Sequence, residues 1–239
     1  MAPGSQSILS DCGVGQTKSA SMTYADDLKT LAISALLPLL AFDEVLGSEV
    51  RFGEGKYRAD LVIASPNRLS ALEIKGPRDN LDKLAGQAAG YSALFLDFSV
   101  VTVEEWMGAV RHLVPRAAGL LTLRGAQLHT IRQARSRARL DPDAALRWLR
   151  TGELRDLLRS YGLSTTGHYG NLVETVRQRI PVAELSGFAL GAIHERLRPR
   201  FEAFRGELGR TVTLDDIRML TLGDQVSRPR GLPVVPDES

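Results

Sequence analysis

The chain has 239 residues, 44% of them hydrophobic and 24% charged, with a net charge of +2. That is the composition of an ordinary globular protein, long enough to bury a sizeable core in one or two domains. One cysteine, Cys12, rules out an internal disulfide and fits a reducing, cytoplasmic compartment. No apolar run approaches the ~20 residues of a membrane helix, because Leu31 to Phe42 is too short and holds Pro38.

In chain order, residues 1–22 are small and polar, lack the apolar core of a signal peptide, and read as a disordered segment in which Met22 would serve as well as Met1 for a start. Asp26 to Leu40 reads as a first helix, with Asp26 and Asp27 favouring its N-terminus. Ser48 to Phe52 reads as a first strand. Arg58 to Ile63 and Leu72 to Lys75 read as two more strands, joined by a tight turn at Ser65-Pro66-Asn67-Arg68. Folding that hairpin sets Asp60 opposite Glu73, or within one register step of it, with side chains roughly 5 Å apart. Lys75, two residues past Glu73, points from the same face. Two adjacent carboxylates disfavour each other's charge, so the spot asks for a proton or a hard cation. Mg2+ (or Mn2+), held by oxygen ligands and waters, would suit Asp60, Glu73 and the Ile74 carbonyl. Asp79 to Phe95 then reads as a helix capped by Asp79 or Asn80, with Gln87 and Tyr91 four apart on one face. Ser99 to Val103 supplies a further strand.

Asp60 followed thirteen residues later by Glu73-Ile74-Lys75 resembles the PD-(D/E)XK nuclease superfamily, with Ala59 where the motif has Pro. The Gln87…Tyr91 pair is similar to the Gln-x-x-x-Tyr element of its RecB-like members. The likeness is closest to small bacterial members with an added helical C-terminus. It implies an α/β, restriction-endonuclease-like core at about residues 23–115: a helix, a three-stranded meander, a helix and a strand, followed by an all-helical region. It also implies a metal-dependent (endo)deoxyribonuclease with Asp60, Glu73 and Lys75 catalytic and Glu49, Gln87 and Tyr91 in support. Lys56 and Arg58 would meet phosphates, and Glu44, Asp26 or Asp27 could supply an acid from the first helix. A catalytically inactive DNA-binding or partner-binding protein is the alternative on the same scaffold.

Net charge hides an asymmetry. Between Arg111 and Ile180 there are thirteen arginines, no lysine and five acids, about +8 in a nearly neutral chain. A nucleic-acid backbone fits such a surface. Residues 116–150 read as a basic helical connector that includes Arg132 and Arg135. Residues 151–181 read as a helical hairpin, closed after its first helix by Gly162, in which Leu154, Leu157, Leu158 and Leu163 pack on Leu172, Val173 and Val176. This hairpin is similar to the SAP motif, except that His168 and Tyr169 stand where a lysine is usual; Arg155, Arg159, His168 and Arg177 are its candidate DNA contacts. Further helices are expected over 182–227, broken near Pro199 and with Thr213 as an N-cap, before a loose tail at 228–239. The expected partner is DNA, with RNA, a homodimer or another protein partner left open, and no membrane. There is no internal repeat, zinc-type Cys/His spacing or Gly-rich phosphate loop.

Overall fold

The computed structural model describes residues 25–53 and 55–221. The segments expected to be loose at either end, with Cys12 and Met22, lie outside the described residues. α1 (Ala25–Leu36) runs into a 3-10 turn, Leu37–Leu39, and is followed by β1 (Val45–Phe52), β2 (Tyr57–Ser65) and β3 (Arg68–Lys75). Next come α2 (Leu84–Leu94), β4 (Asp97–Thr102), α3 (Glu104–Leu113), β5 (Gly119–Arg124) and β6 (Gln127–Arg132). Five helices complete the described residues: α4 (Pro142–Trp148), α5 (Thr151–Ser160), α6 (Tyr169–Arg179), α7 (Val182–Glu207) and α8 (Leu214–Met219). The fold is mixed α/β, and the expected order of helix, three strands, helix and strand is present.

The six strands form one sheet in sequence order. β1, β2 and β3 are an antiparallel meander, β4 and β5 run parallel to β3, and β6 is antiparallel again. Pro66 and Asn67 alone separate Ser65 from its partner Arg68, so the turn fixes the β2–β3 register. α7 lies across β1 and β2 so closely that a Cβ at Gly47 would come within 2.7 Å of the Leu197 side chain. Aromatic rings join the sheet to the helices. Phe52 stacks on Tyr91 at 5.1 Å, Tyr91 on Phe98 at 5.3 Å, and Phe95 meets Trp148 edge-on at 5.2 Å. The Trp148 indole N–H donates to the Leu94 carbonyl at 2.7 Å, tying α4 to α2.

Three expectations are corrected. Residues 116–150 are not a helical connector throughout, since Gly119–Arg124 and Gln127–Arg132 complete the sheet and helix resumes only at Pro142. α2 begins at Leu84 rather than Asp79, and neither Asp79 nor Asn80 caps it. Asp79 instead accepts the Gly76 N–H at 2.6 Å, and Asn80 accepts the Asp82 N–H at 2.7 Å. These local bonds satisfy the backbone in a turn and so compete with helix formation. α7 also continues through Pro199. Glu195 and Pro199 are both exposed, so the carbonyl that loses its partner faces water, while buried Ile193, Leu197, Phe201 and Phe204 hold the helix on both sides.

The 151–181 hairpin forms as expected. Leu154, Leu157, Leu158, Leu172 and Val176 are buried, with Leu163 and Val173 packed against them. Gly162 ends α5 at a φ of 65°, with the Leu163 N–H donating to the Leu158 carbonyl and the Gly162 N–H to that of Arg159. This is the 6→1 and 5→2 pairing of a Schellman motif, whose left-handed residue favours glycine. Thr213 caps α8 reciprocally with Asp216.

Candidate active site

Register builds the site. Leu61 opposes Leu72, so the next step of the antiparallel pair sets Asp60 against Glu73. On the other side of β2, Ser48 opposes Leu61 and Val50 opposes Ala59, which brackets Glu49 against Asp60. Three acids thus form a row across β1, β2 and β3. They line a cleft of about 650 Å³ together with Ile74, Lys75, Lys29, Tyr57, Arg58 and Gln87.

Each acid is held differently. Glu73 is only 2% exposed. Gln87 donates to its Oε1 at 2.7 Å, Lys75 Nζ lies 2.7 Å from the same oxygen, and the Tyr91 hydroxyl donates to Oε2. The i, i+4 spacing on α2 thus brings Gln87 and Tyr91 onto one carboxylate. Asp60 Oδ2 accepts the Ile74 N–H at 2.7 Å, which anchors the side chain against β3. Burial, followed by the neighbouring Glu73 charge, pushes the Asp60 carboxyl up to about 7 from an ordinary 3.8. Burial and Glu73 also push the Tyr91 hydroxyl up, so it stays protonated and able to donate. Glu49 pairs with Lys29 of α1, and Arg58 Nε lies 2.5 Å from its other oxygen. Glu49 has a φ of 55°, the left-handed region that a residue with a Cβ seldom enters.

Among the described residues no three His, Cys, Asp or Glu side chains converge closely enough to hold a metal by themselves. A cation here would therefore take one or two carboxylates with backbone and water oxygens, the way Mg2+ is commonly bound. The donors fit such an ion. All are oxygens, Asp60 carries the cost of an acid buried beside another acid, and the side-chain oxygen of Gln87 is buried without a hydrogen-bond donor.

Every candidate residue of the central cluster lies in or beside this cleft: Glu49, Asp60, Glu73, Ile74, Lys75 and Gln87 line it, and Tyr91 braces Glu73 from α2. The nucleic-acid candidates scatter. Arg58 lines the cleft. Arg132 instead donates to the carbonyls of Ala118 and Pro115, and burial with nearby Arg111 and Arg116 lowers its pKa. Arg159 pairs with Asp156 and Arg177 with Asp143, while Arg155 donates to the Thr165 carbonyl. Arg135 and His168 are exposed. Of the first-helix acids, Asp27 is exposed, and the Asp26 side chain lies outside the described residues. Glu44 sits ahead of β1 and pairs with Arg68.

Sequence reasoning missed Lys29. Its signal was present, because Leu28, Ala32, Ile33 and Leu36 form the buried stripe of α1 and Lys29 falls within it. A lysine in that position has to find a buried partner.

The family model described as bacteriophage P4 protein cII matches residues 21–221, a span that includes every residue of the cleft. Protein cII of Enterobacteria phage P4 is 24% identical over 186 residues, covering 75% of this chain and 70% of that protein. A protein of unknown function from Silicibacter pomeroyi, known as a solved structure, has 21% identity and a TM-score of 0.37 over 48% of this chain and 76% of its own, too slight a likeness to carry an argument. No described helix is long and apolar enough to cross a membrane. With the family match running over most of its length, the chain belongs to the bacteriophage P4 protein cII family.

Proposed function

We propose that this protein is a Mg2+- or Mn2+-dependent nuclease that hydrolyses phosphodiester bonds in DNA on a PD-(D/E)XK, restriction-endonuclease-like core. The observation that carries the reading is the carboxylate row Glu49–Asp60–Glu73 in one cleft, with Lys75 2.7 Å from Glu73. Asp60 and Glu73 would hold the metal, with the Ile74 carbonyl as a third protein oxygen. When bound, the metal would lower the pKa of an attacking water and neutralise charge growing on the phosphate. Gln87 and Tyr91 fix the Glu73 carboxylate, so its orientation is set before substrate arrives. The Lys75 ammonium, tethered beside Glu73, is available to orient the water or to hold a phosphate oxygen. Arg58 at the cleft meets the backbone next to the scissile bond. Farther off, Arg135, Arg155 and His168 add exposed basic surface, which holds the polyanion through counterion release without reading its sequence. RNA offers the same phosphodiester chemistry and is a second substrate class.

A second reading has its own observation. Lys29 and Arg58 pair with Glu49 and Lys75 with Glu73, so three cations stand among the three acids and the row is near neutral without a metal. That balance suits a catalytically inactive protein that binds DNA or a protein partner on the same scaffold. Incubating the purified protein with circular and linear DNA, single- and double-stranded, with Mg2+, Mn2+ or chelator, separates the two. Metal-dependent cleavage that is lost in Asp60→Ala and Lys75→Ala while DNA binding survives supports the nuclease; cutting of the circle makes it an endonuclease. Undiminished DNA affinity with no cleavage under either metal selects the inactive scaffold.

A further inference from the structure

We propose that Lys29 is a built-in rival of the metal in the cleft: paired with Glu49 beside Asp60, its ammonium charge opposes the loading of a divalent ion on the acid row. The inference rests on the metal-binding reading above and adds to it a residue on α1 outside the sheet motif. Three observations carry it. Lys29 is buried, with a side chain 11% exposed, and its Nζ pairs with Glu49 Oε1. Glu49 lies between Ser48 and Val50, whose partners Leu61 and Ala59 flank Asp60, and the Lys29 charge is felt at Asp60 as well. Finally, Glu49 holds its place with a left-handed backbone, a conformation that persists where its surroundings impose it.

The consequence is electrostatic. Lys75 and Arg58 also face these acids, but Lys75 is bound to Glu73 and Arg58 is more than half exposed. Lys29 is the buried cation on Glu49, a carboxylate it shares with the exposed Arg58. An ammonium and a divalent ion drawn to the same acids repel one another. Removing the ammonium therefore raises metal affinity by at least about tenfold, the order of one unit charge lifted from a divalent ion's surroundings even at the dielectric of water.

Calorimetric titration of Mn2+ into the wild-type protein, Lys29→Gln and Asp60→Asn provides the test, with thermal melts confirming that each is folded. Lys29→Gln is expected to bind at least tenfold tighter than wild type, and Asp60→Asn more weakly. Equal or weaker binding by folded Lys29→Gln overturns the role of Lys29 while the metal site stands. Absence of Mn2+ binding in all three proteins removes the metal site, and the inference falls with it. A second measurement needs no variant. Acylation of Lys29 by a water-soluble active ester, followed by peptide mass, is expected to accelerate when Mn2+ loads the acid row and drives the Lys29 side chain off Glu49 into solvent; a rate unchanged by Mn2+ also overturns the proposal.

Discussion

Replacing Asp60 with asparagine is expected to stabilise the metal-free protein, and to do so increasingly as pH rises. In the unfolded chain this carboxyl loses its proton near 3.8, whereas in the folded protein burial and Glu73 hold the proton until about 7. Between those values the folded state binds a proton that the unfolded state has released, so ionisation favours unfolding. The stability that a protonated Asp60 allows is complete below 3.8, falls as pH climbs, and reaches its floor above 7. At about 1.36 kcal/mol per pKa unit, the penalty is roughly 2 kcal/mol at pH 5.5 and about 4 kcal/mol at pH 8. Asparagine removes the charge, keeps the shape, and retains an oxygen to accept the Ile74 N–H. Chemical denaturation in chelator, followed by circular dichroism at both pH values, reads the gain directly. It should grow by about 2 kcal/mol between pH 5.5 and pH 8. A pH-independent change, or a loss of stability at pH 8, would refute the argument that burial beside Glu73 raises this acid.

Other expectations follow from single contacts. Arg196 Nη2 meets both Glu153 oxygens at 2.7 and 2.8 Å and the Trp148 carbonyl at 2.9 Å, so Arg196→Ala should cost about 3 kcal/mol in denaturant titrations by stranding a largely buried acid. Trp148→Phe keeps an aromatic ring but removes part of the buried indole and leaves the Leu94 carbonyl without its donor, a loss of about 1–3 kcal/mol from the hydrogen bond alone, measurable the same way. Gly162→Ala places a Cβ at a φ of 65° and should cost about 1 kcal/mol, with the effect confined to the α5–α6 hairpin in hydrogen exchange. In a cleavage assay Glu73→Gln should slow the reaction at least about 100-fold with DNA affinity retained; an unchanged rate would exclude Glu73 from the chemistry.

How far the sequence disclosed these features depended on whether local geometry was enough to fix them. Asp60, Glu73 and Lys75 were legible because a strand alternates every second residue and a two-residue turn sets the register. Gln87 and Tyr91 were legible because four residues on a helix return to the same face. The segment Gly119-Leu120-Leu121-Thr122-Leu123 offered no such constraint. A short apolar run reads equally well as a buried helix or a buried strand, and only β4, distant in sequence, decides it. The arginine-rich stretch that follows drew attention to charge, although β6 forms by pairing with β5 across Gly125, at a φ of 60°. α2 lost its first turn to the side chains of Asp79 and Asn80, residue types that favour caps and turns for the same chemical reason.

The arginines teach a related lesson about charge counted along a chain. A surplus of about eight positive charges between Arg111 and Ile180 suggested one phosphate-facing surface. In the folded protein several of those guanidinium groups do internal work. Arg137 donates to the Ala93 and Phe95 carbonyls, Arg132 to those of Pro115 and Ala118, and Arg196, beyond the counted stretch, pins α7 to Glu153. An arginine committed to backbone carbonyls still contributes to the long-range field, but it cannot also form bidentate contacts with a phosphate. The cleft inverts that lesson. Its acids look redundant in sequence, yet the register gathers Glu49, Asp60 and Glu73 from three strands, and cations from three elements pair with the outer two: Lys29 on α1 and Arg58 on β2 with Glu49, Lys75 on β3 with Glu73. A row of half-buried and buried carboxylates serving only to hold strands together would gain little from that, because well-packed apolar residues stabilise such a position at least as well. Glu49 adds a backbone conformation that costs on the order of 1–3 kcal/mol. Strain and repulsion concentrated at one cleft, while the surrounding core is packed with aliphatic and aromatic side chains, are the expected marks of a site kept for its chemistry rather than for stability.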